Sequence, residues 1–163
     1  MPVEPEIREC ETENLPEIAS VVSPAFADAA PWGGTETILL VEDDAFVRKV
    51  IGEALESAGY RLLIAGSAEE SLEARQESSR AVDLLLADVV LPGMGGHALA
   101  AAFGGLHPHA RILLMSGYAE QVALFRLSHC GSQYLAKPFS THTLLRRVRE
   151  VLDSDPLDAR ASA

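Results

Sequence analysis

Between Thr37 and Leu152 the chain alternates short apolar runs with segments whose apolar residues recur every three or four positions. Ile38-Leu39-Leu40-Val41 is apolar throughout and stops at Glu42-Asp43-Asp44, the pattern of a strand buried on both faces. Ala45 to Ala58 has helical spacing, with Phe46, Val47, Val50, Ile51, Ala54, Leu55 and Ala58 predicted on one face and Gly59 closing the helix. Tyr60 to Ala65 predicts a second strand. Ser67 predicts the N-cap of a helix running to about Gln76, with Glu70 completing a capping box. Leu84-Leu85-Leu86-Ala87 is a third buried run ending in Asp88, followed by the loop Pro92-Gly93-Met94-Gly95-Gly96 and a helix near His97 to Phe103. Arg111 to Met115 predicts a fourth strand ending in Ser116-Gly117, and Glu120 to Ser128 the next helix. Gln133 to Ala136 predicts a short fifth strand ending at Lys137-Pro138, and Ser140 caps a last helix to about Leu152. Five strands, each followed by a helix, predict an α/β fold whose parallel sheet is covered on both faces.

Residues 1–36 read differently. They hold Pro2, Pro5, Pro16, Pro24 and Pro31 and end in Pro31-Trp32-Gly33-Gly34, which is linker chemistry with a loose glycine joint. A short helix from Asn14 through Pro16 to Val22 is the other reading of this leader. The expected organisation is therefore a leader or linker over 1–36, a folded domain over 37–153 and a tail over 154–163.

Charge sharpens this division. The net charge is −11, and residues 1–36 carry eight acids against Arg8 alone, leaving 16 acids and 12 bases for the rest. Neither part offers the dense basic surface that phosphate-backbone contacts require, so direct nucleic-acid binding is not expected. No apolar run approaches the roughly 20 residues that span a bilayer, and the first residues lack the basic and apolar stretches of a signal peptide. Cys10 and Cys130 fit a reduced cytoplasmic protein better than a disulfide framework.

The candidate chemistry sits where the predicted strands end: Glu42-Asp43-Asp44, Asp88, Ser116 and Lys137. In an open parallel sheet these carboxyl ends share one edge, where ligands bind at the switch in strand order. Carboxylates gathered there repel one another unless a cation intervenes, and oxygen donors suit a hard divalent ion such as Mg²⁺. With its charge offset, a carboxylate can act as nucleophile toward phosphorus. A lysine and a hydroxyl such as Lys137 and Ser116 would then serve the transferring group.

Ile38–Asp44, Leu85–Met94, Leu114–Tyr118 and Ala136–Phe139 together resemble the four signature segments of bacterial response-regulator receiver domains, and the resemblance covers roughly Thr37 to Leu152. It implies a five-stranded, doubly wound (βα)5 sheet of the flavodoxin-like kind. It implies that Asp88 is the phosphoacceptor, that Glu42 and Asp43 form the acidic metal pair, and that the Val90 backbone carbonyl is the third protein ligand of Mg²⁺ or Mn²⁺. Asp43 is the more direct ligand and Glu42 acts partly through water. Ser116 matches the switch hydroxyl, Tyr134 the switch aromatic, and Lys137 the lysine that precedes a cis proline, Pro138. Asp44 falls one position past the pair and is left out of the ion's first ligands.

The implied activity is phosphoryl transfer from a histidine kinase or histidine phosphotransfer protein onto Asp88. The domain is then not an enzyme beyond its own phosphorylation and dephosphorylation. The readout is a shift of the face made by the fourth predicted helix, the fifth strand and the last helix, which would engage a downstream protein or a second copy. A single-domain regulator and the receiver of a hybrid sensor kinase both remain open; the Gly33-Gly34-Thr35-Glu36-Thr37 stretch resembles the joint before the latter. Two other classes stand beside this reading: a receiver-like module that binds without phosphorylation, and an aspartate-nucleophile phosphatase. The phosphatase wants an acid two residues after its nucleophile, where Val90 stands.

Other residues carry blander readings. Gly117 leaves room for a phosphoryl donor or simply turns the chain with Ser116, and Val90 and Tyr118 flank the expected path of attacking water. The histidines His97, His107, His109, His129 and His142 show no ligand spacing beyond His107-Pro108-His109, Arg146-Arg147-Val148-Arg149 reads as a solvated helix face, and Trp32 is either a linker aromatic or a staple.

Overall fold

The computed structural model describes residues 32–77, 81–117 and 132–154. Five strands, β1 (Thr37–Val41), β2 (Arg61–Ala65), β3 (Leu84–Asp88), β4 (Arg111–Ser116) and β5 (Ser132–Ala136), form one parallel sheet in the order β2-β1-β3-β4-β5. Four described helices flank it: α1 (Ala45–Ser57), α2 (Ala68–Glu77), α3 (Gly96–Leu106) and α4 (Thr141–Asp153). This is the predicted doubly wound α/β architecture. The leader to Pro31, the helix expected over Glu120 to Ser128, Cys10, Tyr118, His129, Cys130 and the tail beyond Ser154 lie outside the described residues.

The alternation of side chains along each strand sorts the core into two layers. Ile38, Leu40, Leu84, Leu86, Leu113 and Met115 face α1 and α4, where Ile51, Leu55, Leu144 and Val148 meet them. Leu39, Val41, Leu85, Ala87 and Leu114 face the other way, toward Leu99 and Phe103 of α3 and Ala68 of α2. Edge strand β2 has only Ala65 buried, and Ile64 is exposed. The strand order reverses between β1 and β3, which puts the ends of those two strands on either side of the switch.

Local chemistry sets the element ends. Asp44 caps α1, its Oδ1 accepting from the N–H groups of Phe46 (2.8 Å) and Val47 (3.0 Å). At the other end Gly59 has φ +95°, its N–H donates to Glu56, and Tyr60 N–H donates to Leu55, the paired bonds of a Schellman stop. Ser67 Oγ accepts from Glu70 N–H, but the Glu70 carboxylate reaches back to Gly66 N–H at 2.6 Å rather than to the cap residue itself. Ser140 caps α4 by accepting from Thr143 N–H.

Three expectations are corrected. Phe46 does not join the buried face of α1 and is 63% exposed, because the first turn of the helix overhangs the end of the sheet. Arg149 does not belong to a solvated face: it reaches Glu36 at 2.9 Å and Asp153 at 2.8 Å. The stretch 32–36 is not a loose joint. Gly34 N–H donates to Ala58 O, Tyr60 Oη to Trp32 O and Arg61 Nε to Thr35 O. A Cβ on Gly33 would come within 2.5 Å of Ala58 O, so close backbone approach accounts for that glycine. Trp32 is a staple, packed against the α1/α4 layer with its ring edge-on to His142 at 6.5 Å.

Candidate functional site

The ends of β1, β3, β4 and β5 bring Glu42, Asp43, Asp88, Ser116 and Lys137 to one edge of the sheet. Met115 is the register partner of Asp88, so Ser116 projects one step further along the neighbouring strand. Ser116 in turn pairs with Ala136, and its carbonyl accepts the Lys137 N–H at 2.8 Å. That bond fixes the main chain from which Lys137 reaches inward, and the Lys137–Pro138 peptide that follows is cis.

The Lys137 ammonium bridges two carboxylates from different strands, donating to Asp88 Oδ2 at 2.5 Å and to Glu42 Oε2 at 2.8 Å. Glu42 is 2% exposed and Asp88 8%. Burial pushes the Glu42 carboxyl up from its ordinary range, and Asp88 adds to this, while the Lys137 ammonium opposes it. Burial alone would lower the Lys137 pKa; its hydrogen bonds to Asp88 and Glu42 prevail and raise it. At neutral pH the lysine is therefore a fixed cation between acids. The second Asp88 oxygen, Oδ1, accepts from Val90 N–H at 2.8 Å, so the turn after β3 folds back over the carboxylate.

Asp43 is exposed beside them, and ligand oxygens of Glu42, Asp43 and Asp88 lie within 4.8 Å of one another. This is the one group of metal-capable side chains of its kind among the described residues. An all-oxygen donor set of this size suits Mg²⁺ or Mn²⁺. His107 and His109 form no part of such a group; His107 packs on Phe103 with ring centres 4.6 Å apart.

The other predicted positions are accounted for as follows. Val90 stands in the loop directly beyond Asp88, its side chain 58% exposed. Ser116 is 1% exposed. Tyr134 is 5% exposed and sits inward in the α3-side layer, its ring 6.1 Å from that of His97. Among the described residues, a Cβ built on Gly117 would meet nothing within 4 Å. Asp44 belongs to the helix cap and not to the carboxylate group.

Sequence reasoning missed two residues that build the site's walls. Arg48, one helical turn past the Asp44 cap, donates through Nη1 to the carbonyls of Glu42 (2.5 Å) and Asp43 (3.1 Å). Glu69 in the first turn of α2 accepts Met94 N–H at 3.0 Å and so ties down the loop after Asp88. Its carboxyl is held below the ordinary value chiefly by backbone N–H donors, its own and that of Met94. Arg48 carries a faint sequence signal, since an i, i+4 step from the cap returns it to the end of β1; Glu69 carries none.

Comparison with known proteins agrees with this fold. The sequence profile described as the response regulator receiver domain matches residues 38–149. The sensor kinase CckA of Brucella abortus (strain 2308) is 37% identical over 126 residues, covering 77% of this chain and 13% of that protein. The transcriptional regulatory protein CpxR of Escherichia coli (strain K12) is 32% identical over 115 residues, covering 71% of this chain and 48% of that one. The chain thus spans less than half the length of either curated relative. Among solved structures, the receiver domain of the hybrid histidine kinase CckA superposes with a TM-score of 0.61 at 34% identity, covering 72% of this chain and 99% of that one. A putative response regulator from Chloroflexus aurantiacus J-10-fl gives a TM-score of 0.64 at 32% identity, covering 74% of this chain and all of that one. Among the described residues no helix is long and apolar enough to cross a membrane. With acids, hydroxyl and lysine gathered at the switch of a doubly wound sheet and the profile covering most of the chain, this protein belongs to the response regulator receiver domain family.

Proposed function

We propose that Asp88 accepts a phosphoryl group from a phosphohistidine on a kinase or phosphotransfer protein. An Asp88 carboxylate oxygen attacks phosphorus in line, the P–N bond breaks, and the imidazole leaves with the electron pair and takes up a proton. The product is an acyl phosphate on Asp88, later hydrolysed by water. The observation that carries this reading is the Glu42–Lys137–Asp88 bridge beside Asp43, a nucleophile held between a fixed cation and further acids. Glu42, Asp43, Asp88 and the Val90 carbonyl would hold Mg²⁺ or Mn²⁺, which when bound offsets charge on the transferring oxygens.

The residues of the chain divide the remaining work. Lys137 turns from the two carboxylates toward the incoming phosphoryl oxygens. Val90 N–H keeps Asp88 oriented, and Ser116 supplies a hydroxyl on the neighbouring strand. Phosphorylation adds roughly −1.5 to −2 charges at the end of β3. The response passes through Ser116 to the layer holding Tyr134, already inward, and shifts the partner-binding face that includes β5 and α4. A downstream protein or a second copy of the chain would read that face in the cytoplasm. The domain is a switch and not a turnover enzyme: an exposed valine stands where an aspartate-nucleophile phosphatase needs its general acid.

Incubation with acetyl phosphate and Mg²⁺, followed by intact-mass measurement, should show one acid-labile phosphoryl group. Asp88→Asn should show none. Incorporation retained in that variant would refute the acceptor role, and no incorporation in the unaltered protein would favour a phosphorylation-independent binding module.

A further inference from the structure

Past the end of β1 the main chain leaves the sheet. The last bond that ties this stretch to β2 is Glu42 N–H to Ala65 O at 3.3 Å, and the carbonyls of Glu42 and Asp43 then need donors from elsewhere. Both find the same one, Arg48 Nη1, at 2.5 and 3.1 Å. Arg48 is itself held in place, because its N–H donates to Asp44 O at 2.9 Å within a helix that Asp44 caps. The same Nη1 lies beside the β2–α2 turn. A Cβ on Gly66 would lie 3.3 Å from Arg48 Nη1 and 3.3 Å from Glu70 Oε2, and Glu70 Oε2 clamps that turn through Gly66 N–H.

One guanidinium bridging two consecutive carbonyls sets the plane of the peptide between them. That peptide is the base from which both acidic side chains project. We infer that Arg48 is a positioning residue for divalent-metal binding, holding the main chain that aims Glu42 and Asp43 at the ion. This rests on the metal role proposed above for those acids.

Two effects of removing Arg48 oppose each other. Deleting a cation near an acidic site would by Coulomb attraction alone tighten Mg²⁺ binding about two-fold at physiological salt. Losing an outer support of the ligands weakens metal affinity about ten-fold. The inference holds that the second prevails. Arg48→Met and Arg48→Lys should be compared with the unaltered protein by calorimetric Mg²⁺ titration, with Asp43→Asn as the control for the metal role. General destabilisation would not move the affinity of the folded protein, so the titration reports positioning. Arg48→Met is expected to bind about five-fold more weakly, the ten-fold loss set against the two-fold gain, and Arg48→Lys, whose side chain is one atom shorter and does not carry its ammonium to the Nη1 position, at least three-fold more weakly. Should Arg48→Met not fold, Arg48→Lys carries the same criterion. Affinity within two-fold of the unaltered protein, or tighter, would overturn the inference. If the unaltered protein takes no Mg²⁺, the metal role fails separately, and amide hydrogen exchange at residues 43–45 decides for Arg48. Faster exchange there in the variants supports the positioning role, and unchanged exchange overturns it.

Discussion

Replacing Gly96 with alanine and replacing Gly105 with alanine make the same chemical change in one helix, α3, and the structure gives them opposite signs. A Cβ on Gly96 would collide with the Asp88 carbonyl oxygen and lie 2.9 Å from both Asp88 C and Val89 Cα. Those atoms are backbone and cannot rotate away. Gly96 N–H also donates to Val89 O at 3.0 Å, so the first turn of α3 is bonded to the chain it would have to leave. Relief requires moving either that turn or the Asp88–Val89 peptide. Overpacking of a tight site costs about 1–3 kcal/mol, and a backbone obstacle places this case at about 3 kcal/mol. With a urea m-value of about 1.5 kcal/mol per M, the unfolding midpoint should fall by about 2 M. Gly105 is exposed, with nothing within 4 Å of its Cβ position among the described residues. Alanine there removes only the flexibility of glycine and should stabilise by about 0.5 kcal/mol. Urea denaturation followed by far-ultraviolet circular dichroism measures both. The Gly96 variant, where still folded, should also take up phosphoryl groups from acetyl phosphate at least ten-fold more slowly, since Asp88 is displaced. A Gly96→Ala protein within 0.5 kcal/mol of the parent and phosphorylated at the parent rate would refute the reasoning.

Three further outcomes follow from the same geometry. Asp44→Ala removes the acceptor for two N–H groups of α1 and should cost about 1 kcal/mol in urea unfolding, without abolishing the metal response. The Glu36 carboxyl is depressed chiefly by its hydrogen bond from Arg149, so the stability it contributes is present above the ordinary carboxylate pKa and disappears as pH falls through the lowered folded value. Glu36→Gln should therefore cost up to about 1 kcal/mol at pH 7 and almost nothing in acid below that value, and an equal cost at both would exclude the ion pair as the cause. Millimolar Mg²⁺ should raise the thermal midpoint of the parent protein by mass action, and Asp43→Asn should remove most of that rise; a shift of the same size in both proteins would place the ion elsewhere.

The chemistry at the sheet edge was legible in the linear pattern because it depends on little more than strand termini. Once Ile38–Val41, Leu84–Ala87 and Arg111–Met115 are recognised as buried parallel strands, Glu42, Asp88 and Ser116 must emerge at the same edge. Helix ends were equally legible, since caps such as Asp44, Ser140 and Gly59 act within three or four residues of themselves. What the pattern did not carry is every interaction in which a long side chain reaches a main chain or charge on another element. Arg48 bonding the carbonyls behind Glu42 and Asp43, Glu69 holding Met94, and Arg149 joined to Glu36 all depend on where helices sit relative to strand ends. Apolar periodicity also placed Phe46 in the core, because it reports the phase of a helix and not whether any sheet lies beneath its first turn. The same limit explains residues 32–36, whose glycines read as a hinge until Ala58, Tyr60 and Arg61 were found bonded against them. Local propensity and period are properties of the chain alone, whereas the reach of a guanidinium or the space beside a glycine exists only after packing has set the distances.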